Sequence, residues 1–111
     1  MARRRWRIRL SAATERDFVG IVEWTTETYG NRQANTYRRT LMLALAALYQ
    51  GRDLPDSQPR DDIRPGLRSL HVARKGRRGR HFILYRTADS GRIDSVRILH
   101  DSMDMSRHVS S

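Results

Sequence analysis

The sequence contains no cysteine, which excludes a disulfide framework and any thiolate metal site. Its four histidines, His71, His81, His100 and His108, lack the close pairing that zinc ligands show. Neither a metal nor a cofactor is expected. Long apolar runs are also missing. The longest mostly apolar stretch, Thr40 to Tyr49, is about half of what a bilayer span needs. The N-terminal arginines are not followed by the apolar stretch of an export signal. The expectation is a cytoplasmic protein with no membrane association. No phosphate-binding loop is present, because Gly76-Arg77-Arg78-Gly79 leads into strand-like sequence rather than a helix. The spacings of serine, histidine and aspartate support no nucleophilic triad.

Lysine is nearly absent as well, and that absence turns into the most prominent feature present. Of 22 basic residues only Lys75 is lysine, and with 12 acidic residues the formal net charge is +10. The charge is thus carried by planar, permanently ionised guanidinium groups suited to carboxylate or phosphate. Arg3, Arg4, Arg5, Arg7 and Arg9 form one cluster; Arg74, Lys75, Arg77, Arg78 and Arg80 form another. The partner implied is anionic, either a nucleic acid or an acidic protein segment. A length of 111 residues suits one domain over residues 1–111 with a modest core.

Periodicity divides the chain. Residues 6–10 alternate apolar and basic, the pattern of a half-buried strand with Trp6, Ile8 and Leu10 inward. Ser11 is placed to cap a helix over about 12–29, with Glu15 and Asp17 near its positive end and Phe18, Ile21, Val22, Thr25 and Tyr29 as its stripe. Gly30 can end it, and Asn31 can cap a second helix carrying Ala34, Tyr37, Leu41, Ala44, Leu45 and Leu48 as far as Gly51. So tight a joint predicts an antiparallel helical hairpin. Residues 51–66 hold Pro55, Pro59 and Pro65 and read as a polar connection that wraps the domain. Strand spacing returns at Leu67 to Val72, His81 to Thr87 and Ile93 to His100, with turns at Gly76 to Gly79 and at Asp89-Ser90-Gly91. Asp104 to Val109 reads as one helical turn in a polar tail. The fold predicted is α+β with the order β-α-α-β-β-β, an antiparallel sheet packed against the N-terminal helical hairpin.

Four segments in this order give the chain a resemblance. Leu10-Ser11 leads into a helix holding Glu15-Arg16-Asp17 and Tyr29-Gly30. Then come Arg64-Pro65-Gly66-Leu67-Arg68-Ser69, Phe82-Ile83-Leu84-Tyr85-Arg86, and Arg97-Ile98-Leu99-His100-Asp101-Ser102-Met103-Asp104. Together they resemble the ParE branch of the ParE/RelE toxin superfamily. The resemblance implies the toxin of a bacterial type II toxin–antitoxin pair, silenced in a hetero-oligomer by a ParD-like antitoxin and directed at DNA gyrase. The longer, more basic turn at Arg74 to Arg80 departs from the common family pattern.

Within that resemblance, Arg7, Arg9, Arg38 and Arg39 are candidates for ion pairs with an acidic or amphipathic antitoxin segment. The tail residues Met103, Asp104, Met105, Arg107 and His108 are candidates for contact with the target. The RelE branch offers another reading, a messenger RNA endoribonuclease. His100 would act there as acid or base, with Arg86 and Arg68 on the same sheet rim stabilising the phosphate. The competing role for His100 is to fix the turn into the tail. A small basic nucleic-acid-binding protein without toxic activity is a third possibility, supported by charge alone.

Overall fold

Ser11 begins the first helix as the spacing predicts. In a computed structural model that describes residues 6–89 and 91–109, its hydroxyl accepts the Thr14 N–H at 2.9 Å, and helix α1 runs Ala12–Tyr29. Arg3, Arg4, Arg5, Ser90, Ser110 and Ser111, part of the sequence reading above, lie outside the described residues. Gly30, at φ 91°, returns its N–H to the Thr26 carbonyl at 2.9 Å. Helix α2 follows at once over Asn31–Ala47. Here the expectation for Asn31 needs correcting: it is the first helical residue, and Gly30 occupies the cap position with no side chain capping it. A joint of one residue leaves a single position to serve both helix ends, and its left-handed φ favours glycine.

The sheet has five strands in the order β1-β5-β4-β3-β2. These are β1 (Arg7–Leu10), β2 (Ser57–Pro59), β3 (Leu67–His71), β4 (His81–Asp89) and β5 (Arg92–His100). The α+β class and the hairpin-on-sheet arrangement hold, with two corrections to the sheet. First, β1 lies parallel to β5, Arg7 opposite Arg92 and Leu10 opposite Ser95, so the sheet is mixed. Alternation along a strand reports its faces and carries no information on pairing direction. Second, the proline-rich connection does more than wrap. Ser57–Pro59 adds an edge strand to β3, Leu54 enters the core, and the Tyr85 hydroxyl donates to the Arg52 carbonyl at 2.7 Å. Pro59 lacks an N–H, which an edge strand tolerates.

The main core lies between the sheet and the hairpin, with Leu41, Ala44, Leu45 and Leu48 set against Leu70, Val72, Ile83, Tyr85, Ile93 and Ile98. Trp6 and Ile8 pack on it as predicted, whereas Leu10 is 39% exposed. Trp6 also explains Gly51, which sits at φ 113° where an added Cβ would lie 2.8 Å from the indole Nε1. On the opposite sheet face Leu67, Leu84 and Leu99 form a smaller cluster covered by Ile63, Val96, Met105 and Val109.

Two irregularities in β5 position everything that follows. The register slips between Leu84 and Tyr85, which pair with Arg97 and Ser95. Val96 is therefore the extra residue of a bulge. Before it Ile93 and Ser95 face the helices; after it Ile98 and His100 do. In addition β1 stops opposite Ser95, leaving the rest of β5 without a strand on that side. Side chains of the α1 cap and of its second turn substitute for one: Ser11 Oγ donates to the Val96 carbonyl at 3.0 Å and Asp17 accepts the Ile98 N–H at 2.9 Å.

Candidate functional site

Among the depressions along α1, two also reach the sheet or α2. The larger, about 640 Å³, is an apolar groove formed by Ile8, Leu10, Phe18, Val19, Met42 and Tyr49, with Glu15 and Arg38 as its charged members. Val19 and Met42 are 53% and 50% exposed. Amphipathic helices place such residues on the buried face; here they line an open surface between the two helices and β1. Of the four arginines suggested by the sequence, Arg38 lies in this groove. Arg7 shares a neighbouring hollow with Trp6, Ile8 and Tyr49. Arg9 falls on another side of the sheet beside Arg86 and Asp94, and Arg39 is exposed on α2.

The sheet-rim arrangement of His100, Arg86 and Arg68 is not assembled. His100 pairs with His81 at one end of the β4–β5 ladder, and Arg86 follows five residues later on β4, about 16 Å along the strand. Arg68 pairs with Tyr85 and Arg86 with Leu67, so the two arginines face opposite sides of the sheet. Arg68 is used structurally, donating from Nη2 to Ser57 Oγ at 2.8 Å.

His100 instead joins a polar cluster that the sequence did not reveal. Its Nδ1 accepts the Ser102 N–H at 3.1 Å, which holds the turn into the tail. Its ring meets His81 edge-on, with centroids 5.2 Å apart. His81 Nδ1 lies 2.6 Å from the Tyr37 hydroxyl, which also accepts the Arg80 N–H at 3.0 Å. With Arg80 already donating to the phenol oxygen, the arrangement that uses every proton has Tyr37 donating to Nδ1 and His81 protonated on Nε2. Burial, followed by the neighbouring His100, lowers the His81 pKa to about 4, and burial pushes the Tyr37 hydroxyl up. An imidazole that stays neutral near pH 7 binds through N–H donation and is poorly suited to general acid work there. Beside it, Asp101 accepts from His71 Nε2 at 3.0 Å and Arg80 Nε at 3.1 Å. The His71 hydrogen bond, then that of Arg80, holds the Asp101 carboxyl below its usual range. Tyr37 was legible only as a helix-stripe residue, since its partner is 44 positions away.

This cluster borders the second depression, a cleft of about 450 Å³ between α1 and the ends of β4 and β5. Arg16, Gly20 and Trp24 line its helix side; His81, His100 and Met103 line the other. The tail residues divide in function. Met103 is exposed beside the cleft. Asp104 caps the final turn, Met105–Arg107, accepting from the Ser106 N–H at 3.1 Å. Met105 covers the second cluster, the His108 carbonyl accepts from Arg97 at 3.1 Å, and Arg107 projects outward. In the basic β3–β4 turn Arg74 is paired with Asp56 at 2.6 Å, whereas Lys75, Arg77 and Arg78 are exposed.

The comparisons agree with this architecture. A profile describing the ParE toxin of type II toxin–antitoxin systems matches residues 8–105. The chain is 34% identical over 105 residues to Toxin ParE1 of Mycobacterium tuberculosis, in both strain H37Rv and strain CDC 1551, across 90% of this chain and 94% of each relative. Among solved structures, a chain of the chromosomal ParDE system from P. aeruginosa superposes with a TM-score of 0.71 at 17% identity, covering 86% of this chain and 95% of that one. A chain of the RelBE2 toxin–antitoxin complex from M. tuberculosis gives 0.50 at 18% identity, with 86% and 98% covered. At those identities the structures establish the shared fold, and the sequence relatives carry the rest: the chain belongs to the ParE toxin family of type II toxin–antitoxin systems.

Proposed function

We propose that this ParE-type toxin is held inactive in a cytoplasmic hetero-oligomer by a ParD-like antitoxin and that its target is DNA gyrase. The carrying observation is the groove at Leu10, Val19 and Met42. Its place between two helices and a strand, and its nearly unbroken apolar lining, suit one face of an amphipathic helix. A segment disordered when free would fold as it fills the groove, and acidic residues along its flank would meet Arg38 and Arg7. The net charge of +10 favours such a partner by electrostatic steering. The ribonuclease alternative receives less support, because His100, Arg86 and Arg68 do not converge on one reacting phosphate.

The target assignment is tested by supercoiling with purified gyrase, with and without the antitoxin encoded beside the toxin. Inhibition relieved by the antitoxin is the expected result. Unimpaired supercoiling together with new cleavage sites in cellular messages by primer extension would replace gyrase with RNA.

A further inference from the structure

The second cleft differs from the apolar groove in setting two imidazoles opposite an arginine and an exposed indole. Arg16, Gly20 and Trp24 stand at i, i+4 and i+8 on α1 and so share one face of the helix. Trp24 is 57% exposed, and among the described residues Arg16 has no ion-pair or hydrogen-bond partner. The other cation lining the cleft, Arg97, is neutralised by Asp17 at 2.7 Å. Gly20 is the telling residue. Glycine inside a helix costs about 1 kcal/mol relative to alanine. Yet nothing lies within 4 Å of the Cβ an alanine would add, and Gly20 is not among the glycines with positive φ. Neither packing nor backbone conformation calls for glycine. What its missing side chain leaves is open space between Arg16 and Trp24, on the wall facing His81 and His100.

We infer that this cleft binds a nucleotide, with its base against the Trp24 indole, its sugar over Gly20 and its phosphate on Arg16. Eight residues of helix separate the aromatic from the cation by about 12 Å, comparable with the length of a nucleoside monophosphate. The volume of about 450 Å³ lies in the range of small-ligand sites. His81, whose Nδ1 is held by Tyr37, keeps one N–H for an acceptor atom of the ligand, and Met103 adds a soft apolar wall. An aromatic platform with an adjacent cation is also how proteins hold single-stranded nucleic acid. The nucleotide can therefore be free or part of a strand. The inference does not depend on the gyrase assignment.

Trp24 is itself the probe. The chain has two tryptophans, and Trp6→Phe leaves Trp24 as the sole emitter. This variant is titrated with AMP, with a short single-stranded oligodeoxyadenylate and with inorganic phosphate. AMP and the oligonucleotide should quench Trp24 and compete with each other, while phosphate should compete without quenching. Tighter binding of the strand with a steep salt dependence identifies nucleic acid as the source, and equal binding identifies the free nucleotide. Gly20→Leu should weaken both ligands by at least about tenfold without lowering the melting temperature, because leucine favours the helix. If Trp6→Phe fails to fold, calorimetry of AMP binding to Trp24→Ala in the native background replaces it, with loss of binding expected. Quenching unaffected by Gly20→Leu, or none by AMP or the strand at millimolar concentration, overturns the inference. So does burial of Trp24 by a protein partner with no response to either ligand.

Discussion

Asp17 on α1 accepts both arms of the Arg97 guanidinium on β5, at 2.7 and 2.9 Å, and the Ile98 N–H as well. Arg97 in turn reaches the His108 carbonyl. One carboxylate thus joins helix, sheet and tail, and its hydrogen bond raises the Arg97 pKa further. Replacing it leaves the guanidinium without its counter-ion and the Ile98 N–H unsatisfied in a half-buried site. Asp17→Ala should lower stability by about 2–3 kcal/mol and increase hydrogen exchange at Ile98. A change under about 0.5 kcal/mol, the scale of surface substitutions, would show that water replaces the contact freely.

His81 makes stability depend on pH. Its pKa in the fold, about 4, lies below the ordinary value near 6.5, so between these values the unfolded chain binds the proton more readily. The stabilisation is therefore complete above pH about 6.5 and is lost as pH falls towards about 4. Burial sets this first, then the charge of His100 and, more weakly, that of His71, against the opposing pull of Asp101 and Asp17; the Tyr37 hydroxyl also faces the ring. Asp56, held low by its hydrogen bond to Arg74, adds a loss of the same sign at still lower pH. Denaturant titrations across this range should show a slope that His81→Phe flattens. An unchanged slope in the variant would place the titration elsewhere.

The apolar groove can be tested without disturbing the core, since Val19 and Met42 are half exposed. Val19→Glu and Met42→Glu should each weaken antitoxin binding by at least about tenfold, 1.4 kcal/mol, while circular dichroism and melting stay as in the parent. Full affinity in both variants would move the antitoxin elsewhere.

For the tail, truncation confounds two effects. Met105 and Val109 cover Leu67, Leu84 and Leu99, so deletion from Asp104 onward should destabilise the fold. Met105→Ala should cost about 1–2 kcal/mol, below the range for fully buried methionine. Met103→Ala and Arg107→Ala, both at exposed positions, should leave melting unchanged and reduce toxicity if the tail meets the target. Undiminished growth arrest in the double variant would exclude that contact.

The helices and the three long strands were legible because their signals are local: the Ser11 cap, the apolar stripes, and the alternation of Leu70 and Val72. What escaped depends on contacts between distant residues. Asp17 looked like a residue favouring the positive helix end, because Arg97 lies 80 positions away. Ser57–Pro59 was hidden by Pro59 and the neighbouring Pro55, although an edge strand admits a proline. The meeting of His81 and His100 depends on the Val96 bulge, and the run Val96-Arg97-Ile98-Leu99 shows no break in periodicity that would mark it. Met103 was noted as a tail residue, but the cleft between it and Trp24 exists only once α1 lies along β5.

That position of α1 also bears on self-association. An open strand edge is a template on which another copy can add, and chains with such edges aggregate. Here the border at β2 is three residues long and ends in Pro59, while the half of β5 beyond Ser95 is capped by Ser11 and Asp17. Exposed ladder groups remain along the outer side of β1, where Arg7 and Arg9 set like charges against like in any second copy. On the proposed function, these edges keep the chain from pairing with itself while its apolar groove stays open for the antitoxin.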